Sequence, residues 1–391
     1  MLNTPFSPWP CFTEEEADAV RRVLLSNRVN YWTGDETRAF EREFAEATGC
    51  EFAIAVSNGT TALDLAFKGL GIGAGDEVLV TSRTFLASVS SIVTAGAIPV
   101  FVDVDRETQN IAPEAVREAI TSRTRAIVAV HLAGWPCDMA ALMAIAERHG
   151  LWVIEDCAQA HGARYRGRSV GSIGHVGCWS FCQDKIITTG GEGGMVTTHD
   201  EALWRRMWAY KDHGKSWQAV YEREHPPGFR WLHESFGTNW RMTEMQAAIG
   251  RIQLTRLDEW QAIRRRNAER IWRAAAECRG LRVAGVPDDI RHAAYKCYVF
   301  VDPGALKETW SRDRILEELT RLGVPCFSGS CSEVYLEKAF DNTGWRPGRA
   351  LPVAKELGET SLMFLVHPTL TSQEIEKTCA ALSAIMSQAA A

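Results

Sequence analysis

The chain has 391 residues, 46% hydrophobic and 24% charged, an ordinary globular composition that excludes disorder and fibres and allows one large domain plus a smaller one. With 43 Lys and Arg against 49 Asp and Glu, the net charge of −6 leaves no basic excess for a polyphosphate, so small molecules are better expected partners than nucleic acid. No apolar run reaches the ~20 residues of a membrane span, and no basic segment precedes an apolar stretch near Met1, so a cytoplasmic protein is expected.

In chain order, five short apolar runs come first: FAIAV (52–56), EVLVT (77–81), IPVFVDV (98–104), AIVAVH (126–131) and LWVIED (151–156). Helical patterns at 60–70, 113–120 and 139–149 separate them. Strand, helix, strand at this spacing predicts an α/β fold with a mostly parallel sheet covered by helices on both faces. Ligands of such sheets collect at the carboxyl ends of the strands, so the residues that follow each run are where chemistry is sought.

The first such place is SNGTTAL (57–63), where small residues open a helix. Free backbone N–H groups and Thr hydroxyls at a helix N-terminus suit a phosphate, although Ser57 or Asn58 could simply cap the helix. GLGIGAGDE (69–77, with Gly71, Gly73 and Gly75) precedes a strand instead of following one, and reads as a helix C-cap and turn, not a dinucleotide site. Asp156 then ends the most apolar strand; a carboxylate there wants a cationic partner, or else caps a loop. In CWSFCQDKIITTGGEGGM (178–195) a strand delivers Ser180 and then Lys185 into a glycine-rich turn. An apolar, glycine-bounded setting would partly desolvate that amine, as a Schiff-base lysine requires, while an exposed turn lysine is the plainer alternative.

Beyond that turn, 211–236 reads as an extended aromatic loop with Pro226, Pro227 and Gly228, and 239–276 as a helical stretch. A strand at 296–301 belongs to a smaller α/β domain, giving expected domains 1–240 and 241–391. The 11 Cys have no CxxC pair and the 10 His no HExxH, so buried thiols are expected, with no disulfide framework and no structural metal.

A phosphate cradle, an acid for a ring nitrogen and an amine for an imine are together the handles that hold pyridoxal phosphate. SNGTTAL, EDCAQAHGA (155–163), SF followed by Lys185 and GGEGG, and GTNWRMTEMQAA (237–248) resemble the DegT/DnrJ/EryC1/StrS nucleotide-sugar aminotransferases, which are fold-type I pyridoxal-phosphate enzymes. The resemblance runs over most of the chain, from TGDETRAFEREFA (33–45) onward. It implies that Lys185 carries the cofactor as a Schiff base and also shuttles the substrate proton, and that Asp156 binds the pyridine N–H. It further implies that Gly59, Thr60 and Ser180 hold the phosphate, Phe85 stacks on the ring and Gln159 lies near the ring hydroxyl. Asn239 would reach the phosphate of the neighbouring subunit, which implies a homodimer with shared active sites. His161 falls inside a matching motif but is expected to be a packed structural residue.

The implied activity is transfer of the amino group of L-glutamate to a nucleotide-linked keto-deoxysugar, for a surface polysaccharide such as lipopolysaccharide O-antigen or for a natural-product sugar. ITTGGEGG (187–194) resembles members acting at C4 of 4-keto-6-deoxy sugars more than C3 members, whose turn often carries GDGG. The alternatives are a 3-keto sugar aminotransferase and a cofactor-binding sensor without turnover; a sugar dehydratase of the same fold has His in place of the lysine. Two departures stand out: Cys182, Gln183 and Asp184 before the lysine, and a long loop whose Trp217, Tyr221, Phe229, Trp231 and His233 could stack a nucleotide or pack a dimer interface.

Overall fold

A computed structural model describes residues 5–391, and counts refer to those residues. Helices α1 (Glu14–Leu25) and α2 (Glu36–Thr48) precede β1 (Phe52–Val56), α3 (Gly59–Leu70), β2 (Glu77–Thr81), α4 (Ala87–Thr94) and β3 (Ile98–Val102). Then come α5 (Pro113–Ala119), β4 (Thr124–Val130), α6 (Met139–His149) and β5 (Trp152–Asp156). The expected strand at 98–104 stops at Val102 because the Asp103 carboxylate turns away to accept the N–H groups of Val353 and Ala354 at 3.0 and 2.9 Å. After a small hairpin, β6 (Arg164–Tyr165) and β7 (Arg168–Ser169), the chain adds β8 (Val176–Ser180), β9 (Gly194–Thr198) and α7 (Glu201–Tyr210).

These strands form a seven-stranded sheet in the order β1-β9-β8-β5-β4-β2-β3. It is parallel from β3 to β8, and β9 runs antiparallel to both neighbours, β8 and β1. The central strands are buried on both faces, which is why they read as unbroken apolar runs. Gly71, at φ +71°, closes α3 in the left-handed conformation, so the GLGIG glycines serve a cap and a turn as the sequence suggests.

The helical stretch at 239–276 is two helices, α8 (Glu244–Thr255) and α9 (Leu257–Ala276). They break at Arg256, whose guanidinium is drawn to Glu15 and Glu16 of α1. A second core follows, around the short β10 (Leu281–Arg282), β12 (Cys297–Val301), β13 (Cys326–Phe327) and β14 (Ser361–Phe364), ordered β10-β12-β14-β13 and all antiparallel. Strand β11 (Ile290–Arg291) pairs instead with β6 of the hairpin. Helices α10 (Arg312–Arg321), α11 (Pro352–Thr360) and α12 (Ser372–Ala389) surround that second sheet, and Ile271, Val299, Leu319, Leu362 and Ile385 fill its core. Helix α8 packs on α1 and α2, whereas α9 packs on α12 and β12.

The Cys residues are all free; Cys50, Cys137, Cys157, Cys178, Cys297 and Cys326 are buried, while Cys11 and Cys331 are exposed. No helix among the described residues is long and apolar enough to cross a membrane.

Candidate active site

A cavity of about 1060 Å³ opens at the carboxyl ends of β4, β5 and β8 and at the start of α3, and is closed from the other side by residues around the second sheet. It brings together Gly59, Thr60, Phe85, Asp156, Gln159, Ser180 and Lys185, from four separate segments of the sequence. Asn239 is not among its lining residues.

At its floor, α3 begins with Asn58 as a genuine N-cap, its side chain accepting the Thr61 N–H at 2.9 Å. Capping and anion binding coexist here, since the cap uses Thr61 and leaves the first two helical N–H groups, of Gly59 and Thr60, facing outward along the dipole. Glycine at 59 is a packing requirement: a Cβ there would lie 2.5 Å from Ser180 Cβ, so the close approach puts the Ser180 hydroxyl beside the helix N-terminus. Such a concave, donor-rich surface fits a phosphate.

Asp156, 7% exposed, accepts hydrogen bonds from Ser88 Oγ at 2.7 Å and the Ala158 N–H at 3.1 Å. Thr84 and Ser88 share a further hydroxyl contact at 2.8 Å, which fixes the Ser88 rotor. No cationic side chain among the described residues pairs with Asp156, so a carboxylate held in the cavity wall is left for a ligand cation, such as a protonated pyridine nitrogen. The preceding Glu155 points to the opposite face, as strand alternation requires. There it accepts His131 Nε2 at 3.0 Å and the N–H groups of Gly171, Ile173 and Gly174. Burial pushes its carboxyl up, but those donors outweigh burial and hold it below the ordinary value. His131, Glu155 and Cys157 are close enough to suggest a metal, yet these contacts already satisfy the carboxylate and histidine.

Lys185 is 17% exposed at the side chain and is less isolated than an apolar setting implies, with Asp184 at 3.8 Å and the Tyr295 ring centroid at 5.2 Å. The Tyr295 hydroxyl donates to Asp184. Partial burial raises the Asp184 carboxyl, but Lys185, Tyr295 and Lys296 together hold it below the ordinary value. The Lys185 backbone carbonyl accepts Trp9 Nε1–H at 2.9 Å, so an N-terminal residue steadies the turn. Gln159 Oε1 accepts the Ala133 N–H at 2.8 Å, which leaves its amide NH₂ to donate into the cavity. Phe85 lines the same space and is 72% exposed.

His161 is buried between Trp179 and Phe181, at centroid distances of 5.3 and 5.6 Å, outside the cavity wall; burial, reinforced by Lys185 and Arg264, pushes it down to about 3. It is a packed structural histidine. The long loop divides: Trp217 and Tyr221 pack on Trp204 and Trp208 of their own chain, whereas Phe229, Trp231 and Phe236 are exposed, and none of them lines this chain's cavity. Asn239, exposed at the loop's end, is bridged to Asp212. Ser88, Tyr295 and Lys296 went unread in the sequence; only Ser88, one helical turn after Phe85, carried a local signal.

A family model described as the DegT/DnrJ/EryC1/StrS aminotransferase family matches residues 10–383. A crystal structure of an aminotransferase from Psychrobacter cryohalolentis is 65% identical, with a TM-score of 0.97 over 98% of this chain and 99% of that one. GDP-perosamine synthase of Caulobacter vibrioides is 39% identical, covering 89% of each chain. The dTDP-3-amino-3,4,6-trideoxy-alpha-D-glucose transaminase of Streptomyces venezuelae is 37% identical over 90% of this chain and 87% of its own.

Proposed function

The chain belongs to the DegT/DnrJ/EryC1/StrS aminotransferase family and is a pyridoxal-phosphate-dependent sugar aminotransferase, and from that premise we propose that it moves the amino group of L-glutamate onto C4 of a nucleotide-linked 4-keto-6-deoxy sugar. The observation that carries this reading is the meeting in one cavity of Lys185, Asp156 and the Gly59–Ser180 cradle. Glu192 supports the position of amination, because the residue that distinguishes a GEGG turn from GDGG itself lines that cavity.

In this reading Gly59, Thr60 and Ser180 bind the cofactor phosphate, Phe85 covers the ring and Gln159 donates to its hydroxyl. Pyridoxal phosphate, when bound, supplies an electron sink for the pair left by the breaking Cα–H bond. Asp156 keeps a proton on the ring nitrogen, which a carboxylate does and a neutral amide does not. Lys185 Nζ, once free as an amine, takes the proton from the donor's α-carbon as general base and delivers one as general acid. Asn239 lies outside its own chain's cavity, exposed, and in this reading completes the phosphate site of a second subunit in a homodimer.

Holoenzyme and glutamate incubated with UDP-, dTDP- and GDP-linked 3-keto and 4-keto sugars should give a 4-amino product with one nucleotide, identified by mass and NMR. A 3-amino product would move the proposal to C3, and no product with any of them would contradict the acceptor class.

A further inference from the structure

Two cationic side chains line the cavity among the described residues, Lys185 and Lys296, against the carboxylates of Asp156, Asp184, Glu192 and Glu337. An anionic ligand entering such a wall needs a free cation. Asp156 is hydrogen-bonded to Ser88, and Asp184 is held by Tyr295 beside Lys185. Lys296 Nζ has no hydrogen bond or ion pair to a described residue; its contact is the Tyr295 ring, 4.7 Å from the centroid. Burial pushes its amine down to about 8, with Asp184 opposing the shift and Arg264 and Lys185 adding to it, so the site favours an added negative charge. Arg264 is no substitute: it lies behind the wall, over the Trp9 ring at 4.9 Å.

We propose that Lys296 anchors the α-carboxylate of the amino donor. The inference rests on the aminotransferase reading and names the group that orients the donor for it. Distance from the chemistry decides between the two anions available. The donor's α-carboxylate is one bond from the carbon whose proton Lys185 removes, whereas the acceptor's diphosphate hangs from the far side of a hexose ring. Lys185 and Lys296 share the cavity wall and both contact the Tyr295 ring, 5.2 and 4.7 Å from its centroid, and each feels the other's charge, so an anion on Lys296 lies in the same part of the cavity as the reacting amine. Tyr295 is itself fixed, its N–H donated to the Ala133 carbonyl at 3.0 Å and its hydroxyl to Asp184. Ala133 also binds Gln159, so the donor anchor and the ring-hydroxyl contact are set by one backbone kink, at φ +56°.

The test compares wild-type, Lys296→Met and Lys296→Arg holoenzyme with glutarate, a dicarboxylate without the reacting amine, and with UDP, dTDP and GDP as diphosphate probes. Lys296→Met should weaken glutarate binding and raise the glutamate KM of the first half-reaction about tenfold or more, the range of a charge-assisted hydrogen bond. Diphosphate binding should stay within about twofold, which also certifies the fold, and Lys296→Arg should recover most of the loss. Unchanged glutarate affinity in Lys296→Met, or a loss confined to the diphosphates, overturns the assignment. If glutamate fails to convert wild-type cofactor to its amine form, the proposed L-glutamate donor fails instead, and the glutarate comparison still decides whether Lys296 is a carboxylate site.

Discussion

Asp156 shows how one residue's surroundings define its task. Ser88 and the Ala158 N–H orient the carboxylate without neutralising it, and the cavity offers it no partner cation among the described residues. For Asp156→Asn the expectation is retained cofactor, held by the Gly59–Ser180 cradle, and turnover lower by about three orders of magnitude, each tenfold corresponding to ~1.4 kcal/mol. Absorbance and steady-state rates measure both; near-normal turnover in a folded variant would remove the role. Gly59 was legible just after a plain apolar run, Asp156 at the end of one, and Lys185 through the glycine-rich turn that receives it. Tyr295 and Lys296 were not, because they arrive from just before β12, more than a hundred residues beyond Lys185, and nothing local to them announces a cavity.

Among elements, the loop after α7 gave the sequence its aromatic composition but not its anchor. Asp212 is fully buried and pairs with Arg241 at 2.7 Å and Lys215 at 3.2 Å; the adjacent Lys211 amine is buried over the Tyr31 ring at 3.4 Å. Burial pushes Lys211 down to about 8 against the pull of Glu41 and Asp212. Through the Trp240 N–H to Lys211 carbonyl bond and the Asp212–Asn239 bridge, this charge cluster holds the segment that carries Asn239. Asp212→Ala leaves Arg241 and Lys215 without their shared counter-charge, and should cost about 3–5 kcal/mol in urea unfolding. A loss below about 1 kcal/mol would show that the cluster does not hold the loop. Periodicity predicted strands and helices well where each was wrapped by the main sheet; it missed the break at Arg256, because salt bridges to α1 set it, not helix propensity.

For the whole molecule, packing across the two cores sets both acid sensitivity and assembly. His161, His292 and His367 are each held neutral by burial, which pushes them down to about 3 from the 6.5 of an exposed histidine in the unfolded chain. Between those values the unfolded chain binds more protons, so stability is full above pH 6.5 and falls on acidification toward 3, by up to about 1.4 kcal/mol per pH unit for each histidine. Urea midpoints should therefore drop steadily from pH 6.5 to 4.5; a flat profile would contradict neutral burial. For assembly, mixing Lys185→Ala with Asn239→Ala subunits, each impaired alone, should restore one intact site per heterodimer, and no recovery after proven exchange would make Asn239 a residue of its own chain only. In the proposed chemistry Lys185 is the cofactor-bearing amine of the transaminase. Borohydride reduction of the holoenzyme followed by peptide mapping tests it most directly: the label should fall on Lys185, be absent from Lys185→Ala, and be lost from wild type after glutamate converts the cofactor to its amine form, whereas a label on Lys296, Lys211 or Lys215 would contradict it.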